Sequence, residues 1–336
     1  MPSGSVTPIW NSFQETVAMI SHRENLLRTI RRDSPAWVPH RHSGVLTLLR
    51  PKITPRPTDG GLDDWGVRWI GTNSDEGSYP DGKPVLGIHD VATFAPPQTD
   101  WQLVAEDMQR QVAEHAGEDT LLVAYAEEIL YERSQLLLGT TEFLVAVATC
   151  PELLDVLLDK IAGYQRRLAE TVMLAGVDGV RFTDDWGTQT ALFMSPASWR
   201  RLIKPRLKLL YDTVKDHGGL VFQHSCGRID AIVPDLIEIG LDVLDPCQPA
   251  ANDIFDWKRR YGQQLTFMGG LDTQGYLTFG SPDEVEQTVS EVVSAMSQGG
   301  GYIAAPSHTI TIPRDNREAM LRAIDKLNAG KEPVRG

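Results

Sequence analysis

The stretch Val221-Phe222-Gln223-His224-Ser225-Cys226-Gly227 decides how this chain is read. It follows a helix-like run that ends in Asp216-His217-Gly218-Gly219. Leu220, Val221 and Phe222 read as a short buried strand, and Gly227 stops it. Side chains two apart on a strand point to the same face. His224 and Cys226 therefore share one face at the strand's carboxyl end. An imidazole beside a thiol is a soft donor pair that suits zinc.

Working outward, the same order repeats. Apolar strands are expected at residues 35–39, 120–126, 176–182, 220–223, 241–244, 265–268 and 302–305. Helical segments lie between and after them, at 101–115, 134–173, 229–239, 281–297 and 317–328. Helix starts are marked by Ser21 with Glu24 three residues on, by Ser195-Pro196, and by Ser281-Pro282-Asp283-Glu284. Residues 65–70 alternate and form half of a β-hairpin with its turn near 75–77. The pattern predicts an α/β chain, a (β/α)8 TIM barrel with an N-terminal helical extension and a β-hairpin insertion. Seven of its eight strands are placed. The doubly wound alternative lacks its Gly-rich fingerprint, since no G-x-G-x-x-G follows a strand. Residues 1–20 are expected to be a loose segment and 21–330 a single domain.

Composition bounds the function. The 336 residues suit a barrel, with 41% hydrophobic and 23% charged residues. Lys and Arg number 32 and Asp and Glu 45, a formal charge of −13. Such a balance opposes nucleic-acid and anionic-membrane partners. Three cysteines, Cys150, Cys226 and Cys247, do not form a disulfide framework. No signal peptide and no membrane-spanning run are visible, so a cytoplasmic location is expected.

In a barrel the strand carboxyl ends carry the active site. Here those ends hold His42, Glu127, Asp184, His224, Cys226, Cys247, Gln248, Asp272 and His308. Each alone reads equally well as a helix cap, an ion-pair partner or a small buried hydrophobe, so the convergence carries the argument. Asp184 and Asp185 are adjacent and point to opposite faces. Asp184 is expected inward, with Asp185 supporting it or capping a helix. Acidic strand ends suit a cationic substrate, which Trp186 would hold by its ring face.

The run from Val221 to Asn328 resembles the uroporphyrinogen decarboxylase superfamily. The matching pieces are His224-Ser225-Cys226-Gly227, residues 267–272, residues 300–308 and Pro313-Arg314-Asp315-Asn316. Asp64-Trp65-Gly66, Asp184-Asp185-Trp186-Gly187, Ser195-Pro196 and Lys204-Pro205-Arg206 agree with it. The resemblance implies a (β/α)8 barrel with one of two chemistries. The decarboxylases carry an arginine-rich N-terminal signature, whereas residues 37–42 here keep only Arg41. An octa-carboxylate substrate needs several fixed guanidinium groups. The other branch moves methyl groups between small amines, ethers or thiols and a corrinoid protein or tetrahydrofolate. Its zinc-containing members use a His-x-Cys pair, matched by His224 and Cys226, plus a distant cysteine, where this chain has His308.

The expectation is therefore a methyltransferase of a small cationic, thiol or ether substrate. Asp184, His224, Asp272 and His308 are the expected catalytic residues, and His42, Glu127, Trp186 and Gln248 contact substrate. Zinc, if used, sits on His224 and Cys226 with either Cys247 or His308 as third ligand; the other option is a metal-free pocket. A corrinoid protein or tetrahydrofolate is the expected methyl carrier, and a homodimer is one option for assembly. The alternatives are a cofactor-free decarboxylase and a non-catalytic binding barrel.

Overall fold

A computed structural model describes residues 20–53, 57–72, 78–308 and 310–331. Ten strands alternate with helices: β1 Leu46–Leu49, β2 Gly60–Leu62, β3 Arg68–Ile70, β4 Tyr79–Pro80, β5 Leu121–Ala126, β6 Gly179–Thr183, β7 Leu220–His224, β8 Val243–Asp245, β9 Thr266–Leu271 and β10 Tyr302–Pro306. The α-helices are α1 His22–Arg31, α2 Trp101–Glu114, α3 Tyr131–Leu138, α4 Thr140–Thr149, α5 Pro151–Leu174, α6 Pro196–Leu202, α7 Lys204–Asp216, α8 Val233–Glu238, α9 Ile254–Tyr261, α10 Tyr276–Phe279, α11 Pro282–Met296 and α12 Arg314–Asn328.

Local chemistry starts these helices where expected. Ser21 accepts from the Glu24 amide, but the Glu24 carboxylate turns to Arg28 at 2.8 Å. At α11 the full reciprocal cap of Ser281 and Glu284 forms, with Pro282 in the first turn. Ser195 caps α6.

Seven strands form one parallel sheet in the order β1-β5-β6-β7-β8-β9-β10. At its far edge His40 pairs in parallel with Ala304, and the Ala304 amide donates to Pro39 at 2.9 Å. Only residues 41–45 separate this bridge from β1 at the opposite edge. Fully extended, that link spans roughly 20 Å. A flat seven-stranded sheet would hold its edges about 29 Å apart. The sheet therefore curls, as in a TIM-like fold.

Curling creates two cores. Val123, Phe222, Val243, Met268, Ile303 and Ala305 pack together inside the curl, with Leu26 and Ile30 of α1 in the same cluster. α1 thus plugs the interior from the amino ends of the strands. Outward-facing residues such as Val180 and Phe182 pack under the helices.

One strand expectation needs correction. The unplaced strand is β1. Residues 35–39, expected as the first strand, form no ladder, and pairing there is limited to the single bridge at the next residue, His40, because Pro39 has no amide hydrogen to donate. The insertion is a three-stranded antiparallel sheet, β2-β3-β4, and its expected turn at 75–77 lies outside the described residues. Asp63 anchors it, accepting from the Trp65 and Val67 amides, the Trp69 indole and Arg133. Of the loose segment expected at 1–20, residues 1–19 also lie outside the described residues. No helix among the described residues is long and apolar enough to cross a membrane.

Candidate active site

A cavity of about 260 Å³ opens at the carboxyl ends of the parallel strands. Its walls include Arg41, Arg50, Tyr125, Arg181, His224 and Asp245. Register explains the grouping. Tyr125 pairs with Arg181 across β5–β6, and His224 pairs with Asp245 across β7–β8. Paired residues in a parallel sheet point to the same side, so all four face inward.

His224 is held on both flanks. Its Nδ1 lies 2.6 Å from Asp245 Oδ1. Arg181 grips the same carboxylate through Nε at 2.7 Å and Nη2 at 2.9 Å. Burial alone would raise the Asp245 pKa, but Arg181 and His224 hold it well below the usual carboxylate range. An ionised carboxylate only accepts, so the imidazole proton sits on Nδ1. Arg181 Nη2 also lies 2.9 Å from Nδ1, because both donors converge on Asp245. Nε2, the other ring nitrogen, points away from Asp245, as in a metal-ligating histidine whose second nitrogen is held by a carboxylate.

Nε2 faces Cys226 Sγ at 3.4 Å and Asp185 Oδ1 at 3.6 Å. Donor atoms of Asp185, His224 and Cys226 all lie within 4.8 Å of one another. Asp185 reaches this point because two loops cross at glycines. A Cβ on Gly227 would lie 2.1 Å from the Gly187 carbonyl oxygen, and one on Gly187 2.5 Å from the Arg228 amide. Gly227 also has φ +80°, which disfavours side chains. The close approach lets Asp185 accept the Cys226 amide at 2.8 Å. Gln248 braces the crossing by accepting the Gly227 amide at 2.5 Å.

The donors fit zinc. With bonds of about 2.0–2.3 Å, neighbouring tetrahedral ligands lie about 3.3–3.6 Å apart, the spacing found from Nε2 to its two neighbours. Burial, then Asp185, pushes the Cys226 thiol pKa up, so a metal would have to displace its proton. Glu132, in the first turn of α3, stands close by. Burial, then the Asp185, Asp184 and Glu128 carboxylates, push its pKa well up.

Several expected residues do other work. Asp184 is fully buried and accepts the Tyr131 and Glu132 amides at 2.8 Å each, capping α3. The two adjacent aspartates thus take roles opposite to those expected, since the free amides of α3 capture the first. Trp186 is 1% exposed, gives its indole hydrogen to Asp184 and packs against Trp199, so it offers no ring face to a ligand. Cys247 is buried, with Sγ 3.3 Å from the Leu244 carbonyl oxygen, and does not join the donor cluster. His308 is exposed on the cavity rim and does not join it either. Asp272 accepts the Gln274 amide within the turn before α10. Glu127 is exposed and pairs with Arg50 at 3.1 Å. His42 is exposed and lines a neighbouring cavity. The acidic strand ends expected to welcome a cation are therefore engaged elsewhere, and the cavity wall is rich in arginine. Tyr125 lies between Arg50 and Arg181, with guanidinium carbons 4.3 Å and 5.0 Å from its ring centre.

Sequence reading gave no role to Arg181, Asp245, Arg50, Tyr125 or Glu132. The available signal was an arginine inside the apolar run Gly179–Thr183, which a buried strand keeps only beside a partner charge.

The family model for uroporphyrinogen decarboxylase (URO-D) matches residues 73–327. Uroporphyrinogen decarboxylases of Pseudomonas savastanoi pv. phaseolicola and Pseudomonas putida are 24% and 25% identical. Each alignment takes in 53% of this chain and 50% of the relative, so the chain spans about half the length of the curated relatives it matches. A methyltransferase from Methanosarcina mazei superposes with a TM-score of 0.71 at 18% identity, covering 92% of this chain and 100% of that one. That likeness is one of fold.

Proposed function

This chain belongs to the uroporphyrinogen decarboxylase (URO-D) family, and from that premise we propose that it is a zinc-assisted methyltransferase acting on a small thiol-bearing acid. The observation that carries the reading is the donor set Asp185, His224 and Cys226, with the His224 tautomer fixed by Asp245. Zinc held by these residues would supply Lewis acidity that keeps a thiol acceptor ionised at neutral pH. A corrinoid protein or tetrahydrofolate would carry the methyl group.

The chain's own residues do the rest. Arg181 and Asp245 orient His224 and neutralise each other, which leaves Nε2 facing Cys226 and Asp185. Arg41 offers a guanidinium fork to a substrate carboxylate at the cavity mouth, beside Arg50, which stacks on Tyr125 and pairs with Glu127. A cationic methylammonium substrate would meet repulsion there.

The test is metal analysis of dialysed protein together with methyl transfer from methylcobalamin or methyltetrahydrofolate to a thiol acid. One zinc per chain, lost along with turnover in Cys226→Ala, is the expected outcome. Full activity in metal-free protein would overturn the reading. The cavity arginines favour a second reading, decarboxylation of a carboxylated substrate. At about 260 Å³ the cavity lies just below the roughly 300–1,000 Å³ typical of drug-sized ligands. That is small for a tetrapyrrole with eight carboxylates. Anaerobic turnover of uroporphyrinogen at about 1 per second or more would establish this second reading instead.

A further inference from the structure

Beside the His224 cavity lies another of about 370 Å³, and the two share Arg41, Pro306 and His308 as a common wall. The second cavity is further lined by His42, Arg317, Ile310 and Ile312. None of its lining residues is acidic, in a chain of net charge −13. Other arginines just after β1 and on α12 are matched: Arg50 pairs with Glu127, Arg314 with Glu318, and Arg322 with Glu286. Among the described residues Arg41 and Arg317 form no ion pair. Arg317 also occupies the first turn of α12, where the helix dipole disfavours a cation. Neither pairing nor helix stability accounts for these two guanidinium groups. Burial, then Arg41 and Arg317, holds the His42 pKa below its usual value, so both charges bear on the same space.

We infer that this second cavity is an anion-binding annex for the tail of a substrate whose reactive end reaches His224 past Arg41 and His308. Phosphate and paired carboxylates both match the guanidinium fork. Ile310 and Ile312 offer an apolar wall for the stem that joins tail to reactive end. The annex rests on the proposed active site only for the direction in which the ligand points; the binding of an anion is independent of it.

The test is calorimetric titration of the full chain at low salt with pyrophosphate and, separately, with tricarballylate. Binding of either at one per chain is expected, weakened at least about tenfold in Arg317→Gln and little changed in Arg314→Gln. Pyrophosphate alone would mark a phosphate-bearing tail and tricarballylate alone a carboxylate-bearing one. Absence of binding by both at millimolar concentration, or equal weakening in both variants, would overturn the annex. Zinc content measured on the same samples separates the two ideas. Anion binding in a chain that holds no zinc would leave the annex standing and remove the proposed chemistry.

Discussion

His224 Nδ1 stands 2.6 Å from Asp245 Oδ1, on adjacent strands and in direct register. The contact is part of a three-residue unit, because Arg181 holds the other face of the same carboxylate. Asp245→Asn would leave Arg181 buried without its counter-charge and free His224 to choose either tautomer. Zinc affinity should fall by about 10–100-fold. Stability should fall by about 3–5 kcal/mol. Competition titration with a zinc chelator and denaturant unfolding measure the two effects; an unchanged zinc affinity would show that the carboxylate does not orient the ring.

Asp185, rather than Cys247 or His308, is the third donor near His224 and Cys226. Asp185→Ala should lose zinc almost as completely as Cys226→Ala. Cys247→Ala and His308→Ala should each keep about one zinc per chain. Metal retention by the Asp185 variant would point back to one of the other two residues.

Gly227→Ala places a methyl group against the Gly187 carbonyl in a left-handed backbone conformation. The loops must part, carrying Asp185 away from Cys226. We expect a loss of about 1–3 kcal/mol in unfolding free energy and a larger proportional loss of zinc. An alanine variant that binds zinc normally would mean that the crossing does not set the donor spacing.

Asp235 reports on pH. Burial alone would raise its pKa, but hydrogen bonds from Arg200 and Lys204 bring it below the ordinary value. The folded state thus binds the proton less readily than the unfolded state. The pair's contribution is full above the unfolded pKa of about 3.9 and is lost as pH falls through the lower folded value. Asp235→Asn should therefore destabilise at neutral pH and show a shallower decline into acid. Parallel pH–stability curves for variant and parent would contradict this.

How far the site could be read from the chain depends on how local each piece is. The His224 and Cys226 pairing follows from two residues on one strand end, and it survives intact. The parallel strand order follows from short apolar runs between helices. Asp185 was within reach of the same alternation, but which of two adjacent aspartates faces the site was decided elsewhere, by the free amides of α3. Arg181 and Asp245 lie 64 positions apart and meet only through register. Cys247 and His308 sit near strand ends as expected, yet one thiol turns back to its own backbone and the histidine stays on the rim. Side-chain direction beyond a strand end is set by loops, which local pattern does not fix.

The α1 helix that seats Leu26 and Ile30 against the inner core makes the site a well with a stopper. Among the described residues the way to His224 from the amino ends of the strands is closed by α1, and the cavity lies at their carboxyl ends. A molecule that reaches His224 from the carboxyl ends has no way onward past α1, so entry and exit share that side of the sheet.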